Sequence, residues 1–266
     1  MMSKFGLIFR HYFARNFKHP MNLFPMLLLP TVIILLFAFV NDYNIEEDAL
    51  FYGYNMAHTN LVFLNIFFFQ LFGMFGNLES LHEFSTGEHK WRLFAAPIKR
   101  TTFVGGILLG SWIVNILQGV IVFVVVGIIL NVYWGNLLVT VLAFLGISLF
   151  AQATGVLLFI VTKNAAQANA IAYPLSFFIG ALSGIIIPVR ELINHSIVDF
   201  LADWSPLNLA GQAVFEGGRF GTISIMDGTY TGGDMSLAVQ SLLVIFATAA
   251  VIAAISFALG RVKKVW

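Results

Sequence analysis

The chain contains no cysteine. That excludes disulfides, thiolate metal centres and cysteine nucleophiles, and it leaves the redox compartment open. Charge is also scarce: Asp, Glu, Lys and Arg make up 10% of 266 residues, against about 25% in ordinary soluble domains. The formal net charge is +1, so nothing in the bulk charge calls for nucleic acid or another polyanion. GxxxxGK[ST] is missing, and no Gly is followed by Lys anywhere. The chain therefore has no P-loop with which to bind ATP. HExxH and GxSxG are absent as well, no metal-ligating cluster is legible, and no catalytic residue is assigned.

What is abundant is apolar. Hydrophobic types reach 59%, Phe alone numbers 28, and mean hydropathy is +0.88. Too few charged side chains remain to cover the outside of a soluble fold this size. The expectation is an all-α integral membrane protein, 1–266 forming a single transmembrane domain. Stretches long enough to cross about 30 Å of hydrocarbon lie at 21–40, 55–77, 102–130, 137–162, 169–187 and 237–260, predicting six transmembrane helices. Alternating segments of about ten residues, the mark of a closed barrel, are absent. Residues 101–162 hold no Asp, Glu, Lys or Arg and must turn once. The turn falls at Asn131-Val-Tyr-Trp-Gly-Asn136, with Tyr133 and Trp134 suited to an interfacial aromatic belt. A second tight turn falls at Thr162-Lys-Asn164.

If six spans alternate, twelve of the fourteen basic residues share one side, and ten of the thirteen acids share the other. By the positive-inside rule both termini are cytoplasmic, in a multi-pass cell-membrane protein. The N-terminus reads as an uncleaved segment, since no small-x-small site follows its apolar run. No spanning stretch contains Asp, Glu, Lys or Arg, which argues against ion-coupled relays and weakens an intramembrane enzyme.

Residues 1–20 predict an amphipathic interfacial helix. Phe5, Ile8, Phe9, Tyr12, Phe13 and Phe17 gather on one side, and Arg15 and Lys18 lie opposite with Arg10 at the border. It is either a topological anchor, its basic face toward anionic membrane lipid, or an elbow that packs on a cytoplasmic partner. Residues 79–100 form a loop too long and too mixed in charge and apolar content for a connector, suited to docking in a groove of another protein. His82 and His89 lie on it seven apart and are expected in solvent. Residues 188–236 make an outer segment: a short interfacial or re-entrant helix within 189–203, then an exposed loop or small hairpin over 217–234 with an Asp227-Gly228 turn signal. Asn65, Gln70, Asn115 and Gln118 are among the polar groups within spans. They serve helix–helix hydrogen bonding or, alternatively, line a path for an amphiphilic solute. The small-xxx-small pairs at Gly106/Gly110 and Ser176/Gly180/Gly184 fit packing within one subunit better than a dimer seam.

Two segments carry a resemblance. Glu83-Phe-Ser-Thr-Gly87 followed by Leu93-Phe-Ala-Ala-Pro97-Ile-Lys-Arg100, and Leu182-Ser-Gly-Ile-Ile-Ile-Pro188-Val-Arg-Glu followed by Trp204-Ser-Pro206-Leu, stand in the order and topology found in permeases of type-2 ABC transporters. The chain resembles that family of exporter membrane subunits over nearly its whole length. The resemblance implies a transport subunit that is not itself an enzyme, two copies lining a path, and two copies of a separate ATPase binding ATP and Mg beneath them. It casts 79–100 as the coupling-helix region, with Glu83, Trp91, Arg92, Leu93, Phe94 and Pro97 as docking residues and Arg10, Arg15 and Lys18 as weaker ones. It implies short re-entrant outer helices between spans five and six, and a second copy of the chain or a similar permease as partner, in a bacterial plasma membrane. The run through Pro20, Pro25 and Pro30 is similar to drug and antibiotic exporters, and the wealth of Phe favours a drug, antibiotic, peptide or lipid cargo. The alternative is a self-contained channel or facilitator that needs no ATP. A membrane enzyme or receptor is a further rival.

Overall fold

A computed structural model of the protein describes residues 4–18, 20–42, 50–51, 54–86, 100–185, 189–193, 195–218, 223–225, 228–230 and 233–262. Helix α1 (Lys4–Lys18) leads into α2 (Pro20–Asp42) and a small antiparallel hairpin, β1 (Leu50–Phe51) with β2 (Tyr54–Asn55). There follow α3 (Met56–Leu71), α4 (Gly73–Thr86), α5 (Arg100–Leu130), α6 (Leu137–Val161) and α7 (Ala165–Leu182). Three short helices, α8 (Val189–Leu192), α9 (Ser196–Asp203) and α10 (Pro206–Gly217), precede a hairpin, β3 (Ile223–Ile225) with β4 (Gly228–Tyr230), and the last helix, α11 (Met235–Val262).

Five runs are long and apolar enough to cross a membrane: Thr59–Glu83 (α3 and α4 together), Thr101–Leu130, Leu137–Val161, Ala165–Leu182 and Met235–Val262. They match five of the expected spans. The remaining one falls on α2, whose described apolar stretch, Leu27–Val40, is shorter than a crossing needs. Two runs are central: 72% of the α3–α4 window and 78% of the α6 window are buried, against 33%, 28% and 22% for α5, α7 and α11. The core is built where α3, α4 and α6 meet, around Phe63, Phe67, Leu71, Met74 and Ile147.

Both predicted hairpin turns form, and side chains explain why. Asn131 and Gly135 adopt positive φ (49° and 55°), and Asn136 accepts the N–H groups of Leu138 and Val139 to start α6. Asn164 accepts the Gln167 N–H at 2.8 Å, while Gln167 Oε1 accepts the Lys163 N–H at 3.2 Å, a reciprocal cap that starts α7. Trp134 is held by packing within the chain. It is half-buried, stacks on Phe123 at 3.6 Å between centroids, meets Phe63 edge-on at 5.6 Å, and fills the space over Gly127.

The predicted N-terminal helix is present, and part of its apolar side packs on the chain itself: Ile8, Phe9 and Phe13 are half-buried, while Phe5 stays exposed. Glycines on α5 seat it: a Cβ at Gly106 would lie 2.8 Å from Ile8, and one at Gly110 would lie 2.6 Å from the Tyr12 ring. Tyr12 is buried and its hydroxyl meets Ser80 Oγ at 2.7 Å. The Gly106/Gly110 pair thus serves packing within the subunit.

Two expectations are corrected. The loop expected from residue 79 starts later, because α4 continues to Thr86 along α6. Leu81 and His82, placed on an exposed loop from sequence, are 2% and 3% exposed. Helix α10 was not foreseen, being too short for a span. It is nonetheless core: Leu207, Ala210 and Ala213 are fully buried against α11, α6 and α3. At its end the buried Glu216 carboxylate accepts the N–H groups of Gly233 (3.0 Å) and Asp234 (3.1 Å), tying the hairpin segment back to the bundle.

Asp234 in turn caps α11. The Ser236 hydroxyl, then the N–H groups of Ser236 and Leu237, hold its carboxyl below the ordinary carboxylate value. The cap is fully present above that ordinary value and is lost as pH falls through the depressed one. The protection factor of the Leu237 amide, its intrinsic exchange rate over the observed rate at the same pH, should therefore fall on acidification, and in Asp234→Ala it should be low already at pH 7. Replacing Gly106 with Leu should dislodge α1 at a cost of about 1–3 kcal/mol, read as a lower melting temperature in detergent and faster tryptic cleavage after Arg10.

Candidate functional site

A helix that breaks inside a membrane frees backbone groups that water cannot satisfy. The α3–α4 run breaks at Phe72, where Phe75 N–H bonds Phe72 O at 3.0 Å in a tightened turn. The freed Gln70 carbonyl is taken by the Asn115 side-chain amide of α5 at 3.4 Å. Gln70 returns the contact, its own amide donating to Asn115 O at 3.4 Å, and Asn115 also donates to Ser148 Oγ of α6 at 3.3 Å. Gln70, Asn115 and Ser148 are 2%, 5% and 0% exposed. Glycines make the room. A Cβ at Gly73 would collide with the Asn115 amide, and one at Gly119 with Gln70 and Phe144. These bonds are long, yet each replaces an unpaired polar group in an apolar interior, worth about 0.6 kcal/mol on average between membrane helices.

This cluster is one rung of a column. At one end the Tyr133 N–H donates to Thr59 Oγ1 at 3.2 Å. Below the Gln70–Asn115–Ser148 knot, buried Asn77 of α4 donates to Gln152 Oε1 of α6. That pair leaves Asn77 Oδ1 and Gln152 Nε2 without partners. Alongside it α4 and α6 come into backbone contact: a Cβ at Gly155 would lie 3.0 Å from Met74 O. At the other end His82 meets Phe159 edge-on at 4.9 Å, and Thr162 Oγ1 lies 3.4 Å from its Nε2. The same end holds α1, through Tyr12 and Ser80, and the start of α5 at Arg100. We call it the basic end, since Lys163 and the basic residues beyond α11 also lie there in sequence.

Each sequence-predicted residue can now be placed. Glu83 is half-buried on the last turns of α4. Trp91, Arg92, Leu93, Phe94 and Pro97 lie outside the described residues, in the stretch joining α4 to α5 at the basic end. Arg10 is exposed on α1, and Arg15 and Lys18 follow on that helix. Asn65 donates to Leu61 O at 2.8 Å, closing on its own helix. Gln70 and Asn115 are brought together; Gln118, one turn on from Asn115, is half-buried on α5. Sequence reasoning did not single out Asn77, which closes the nominal second span, nor Ser148.

A second feature is aromatic. Phe72 meets Phe68 at 5.3 Å and Phe75 at 5.4 Å, Phe75 stacks on Tyr173 of α7 at 4.2 Å, and Phe68 reaches Phe177 at 6.2 Å. Tyr173, Phe177 and Phe178 stay about half exposed, forming a charge-free aromatic face shared by two helices.

In Asn115→Leu the Gln70 carbonyl would be stranded, at about 1–3 kcal/mol for an unsatisfied buried group, while the Gln70 side-chain amide keeps the backbone carbonyl of residue 115. SDS-titrated unfolding should show a loss of that order, while Ser148→Ala should cost well under half as much.

Residues 3–217 match the family model described as ABC-2 type transporter. No curated protein matches the chain.

Proposed function

The chain belongs to the ABC-2 type transporter family, and from that premise we propose that this ABC transporter permease is the membrane subunit of an ATP-driven exporter. Two copies, or one copy and a similar permease, form the path, and two copies of a separate ATPase bind ATP and Mg below. In this reading α2 is the sixth span, α1 lies in the inner interface, α8 and α9 dip into the outer one, and both termini are cytoplasmic in a bacterial plasma membrane.

The observation that carries the reading is the convergence at the basic end. Helix α1, the end of α4, the α6–α7 turn and the start of α5 meet there through Tyr12–Ser80, His82–Thr162 and the Gly106 seat. In sequence, residues 87–99 join Thr86 at the end of α4 to Arg100 at the start of α5. An ATPase gripping Trp91, Arg92, Leu93, Phe94 and Pro97, with Glu83 at the root and Arg10, Arg15 and Lys18 beside it, pulls on the end of a rigid column. The motion then reaches the far end through packed helices. Cargo is hydrophobic or amphipathic, since the half-exposed face of Tyr173, Phe177 and Phe178 is aromatic and carries no charge.

Replacing Leu93 and Phe94 together with Asp should abolish cargo-stimulated ATPase activity of the reconstituted complex while membrane insertion stays intact; unchanged transport would defeat the docking assignment. The cysteine-free chain offers a direct topology test. A single Cys at Gly233 should react with an impermeant maleimide on intact cells, and one at Lys264 only after permeabilisation.

A further inference from the structure

Between α5 and α11, with α6 as its floor, lies a groove of about 680 Å³. Its walls include Val104 and Leu108 of α5, Val156 of α6, and Phe246, Ala250 and Ala253 of α11. The polar floor residue, Gln152, has its amide oxygen engaged with Asn77, and no charged residue lines the groove. Its lining on α11 runs from Phe246 to Phe257, about 16 Å at 1.5 Å per residue. That is about half of a 30 Å hydrocarbon core, one leaflet's depth. The groove occupies the half of the bundle next to the basic end, since it is lined by the first turns of α5 and reaches the last turns of α11.

At that mouth stands a fixed cation. The Arg261 guanidinium lies 4.4 Å from the centroid of the Phe257 ring, itself part of the groove wall. Arg261 is exposed, and no carboxylate pairs with it among the described residues. An apolar trough one leaflet deep with a positive charge at its water-side end matches one molecule: a phospholipid with an anionic head group. Its acyl chains fill the trough and its phosphate meets Arg261, a charge-assisted contact for which the planar guanidinium is well shaped.

We propose that this groove is a binding site for one anionic phospholipid per chain, held by its acyl chains between α5 and α11 and by its phosphate at Arg261. The site lies away from the aromatic face of α7 that we assign to cargo. Only its assignment to the cytoplasmic leaflet rests on the topology proposed above.

The test uses the full chain in nanodiscs of mixed phosphatidylglycerol and phosphatidylcholine, released into a mass spectrometer under native conditions. One phosphatidylglycerol per chain should be retained, preferred over phosphatidylcholine by about fivefold, as expected for a single basic residue at a membrane surface. Arg261→Glu alters an exposed side chain, so the fold survives. It should abolish the preference and leave phosphatidylcholine retention unchanged. Ala253→Trp, also on an exposed wall position, fills the trough and should remove the retained lipid of both kinds. Equal retention of the two lipids by the unaltered chain, or undiminished retention in Ala253→Trp, would overturn the proposal. So would an Ala253→Trp chain that loses a second copy of itself rather than a lipid, since the groove would then be a protein interface. The readout is a lipid count, so a failure of ATPase coupling elsewhere in the molecule leaves it unaffected.

Discussion

The rest of the structure depends on how a broken helix is satisfied without water. The run from Thr59 to Glu83 is the most polar of the two central spans, and it breaks at Phe72. In a hydrocarbon interior the freed Gln70 carbonyl would be a standing penalty of several kcal/mol. Asn115 removes it, and Gln70 in turn satisfies itself on Asn115 O. This exchange works only because Gly73 and Gly119 carry no side chain at the crossing. Two amides and two glycines thus fix how deeply α3, α4 and α5 approach one another, and Ser148 adds α6 to the same point.

The other polar contacts follow from that fixed approach. Once α4 lies along α6 with Gly155 on the Met74 backbone, Asn77 falls opposite Gln152 and His82 falls beside Phe159 and Thr162. The column therefore joins the same two helices at three depths. Interiors packed at this density switch between discrete arrangements rather than deform continuously. A force applied where α4 ends would move α4 and α6 together. The peripheral helices α5, α7 and α11, each less than half buried, are where relative motion meets least resistance.

Five of the six expected spans were legible because each is a long apolar run, and both hairpin turns carry their own capping Asn. Asn136 and Asn164 are local signals, and they do locally what their residue type does anywhere. The N-terminal helix was legible for the same reason, its apolar residues recurring at helical spacing. What stayed hidden is what depends on a partner far away in sequence. His82 sits among Glu79, Glu83 and Lys90 and reads as solvated, yet α6, some eighty positions on, covers it. The contacts of the Trp134 ring stayed hidden because nothing local shows that Gly127 leaves a slot for it. Helix α10, at twelve residues, is too short to announce itself by hydropathy, and its burial comes from α11, α6 and α3. Asn77 looks like the polar end of a span, whereas α4 runs on from it to Thr86, about two and a half turns.

The two halves of the bundle close in different ways, and the difference follows from α10. Near the far end, the space beside α6 and α11 is filled by protein: Leu207, Ala210 and Val214 pack there, Gln212 accepts the Ser241 hydroxyl at 3.1 Å, and Gly217 sits tight on Val139. Near the basic end no such helix enters among the described residues, and α11 runs on to Val262. The same flank of α6 is left there as the trough between α5 and α11. One flank is thus sealed by a buried helix tied down through Glu216, and the other is left as the groove proposed to hold a phospholipid. The bundle is closed by protein at its far end and left open along one flank of α6 near the basic end.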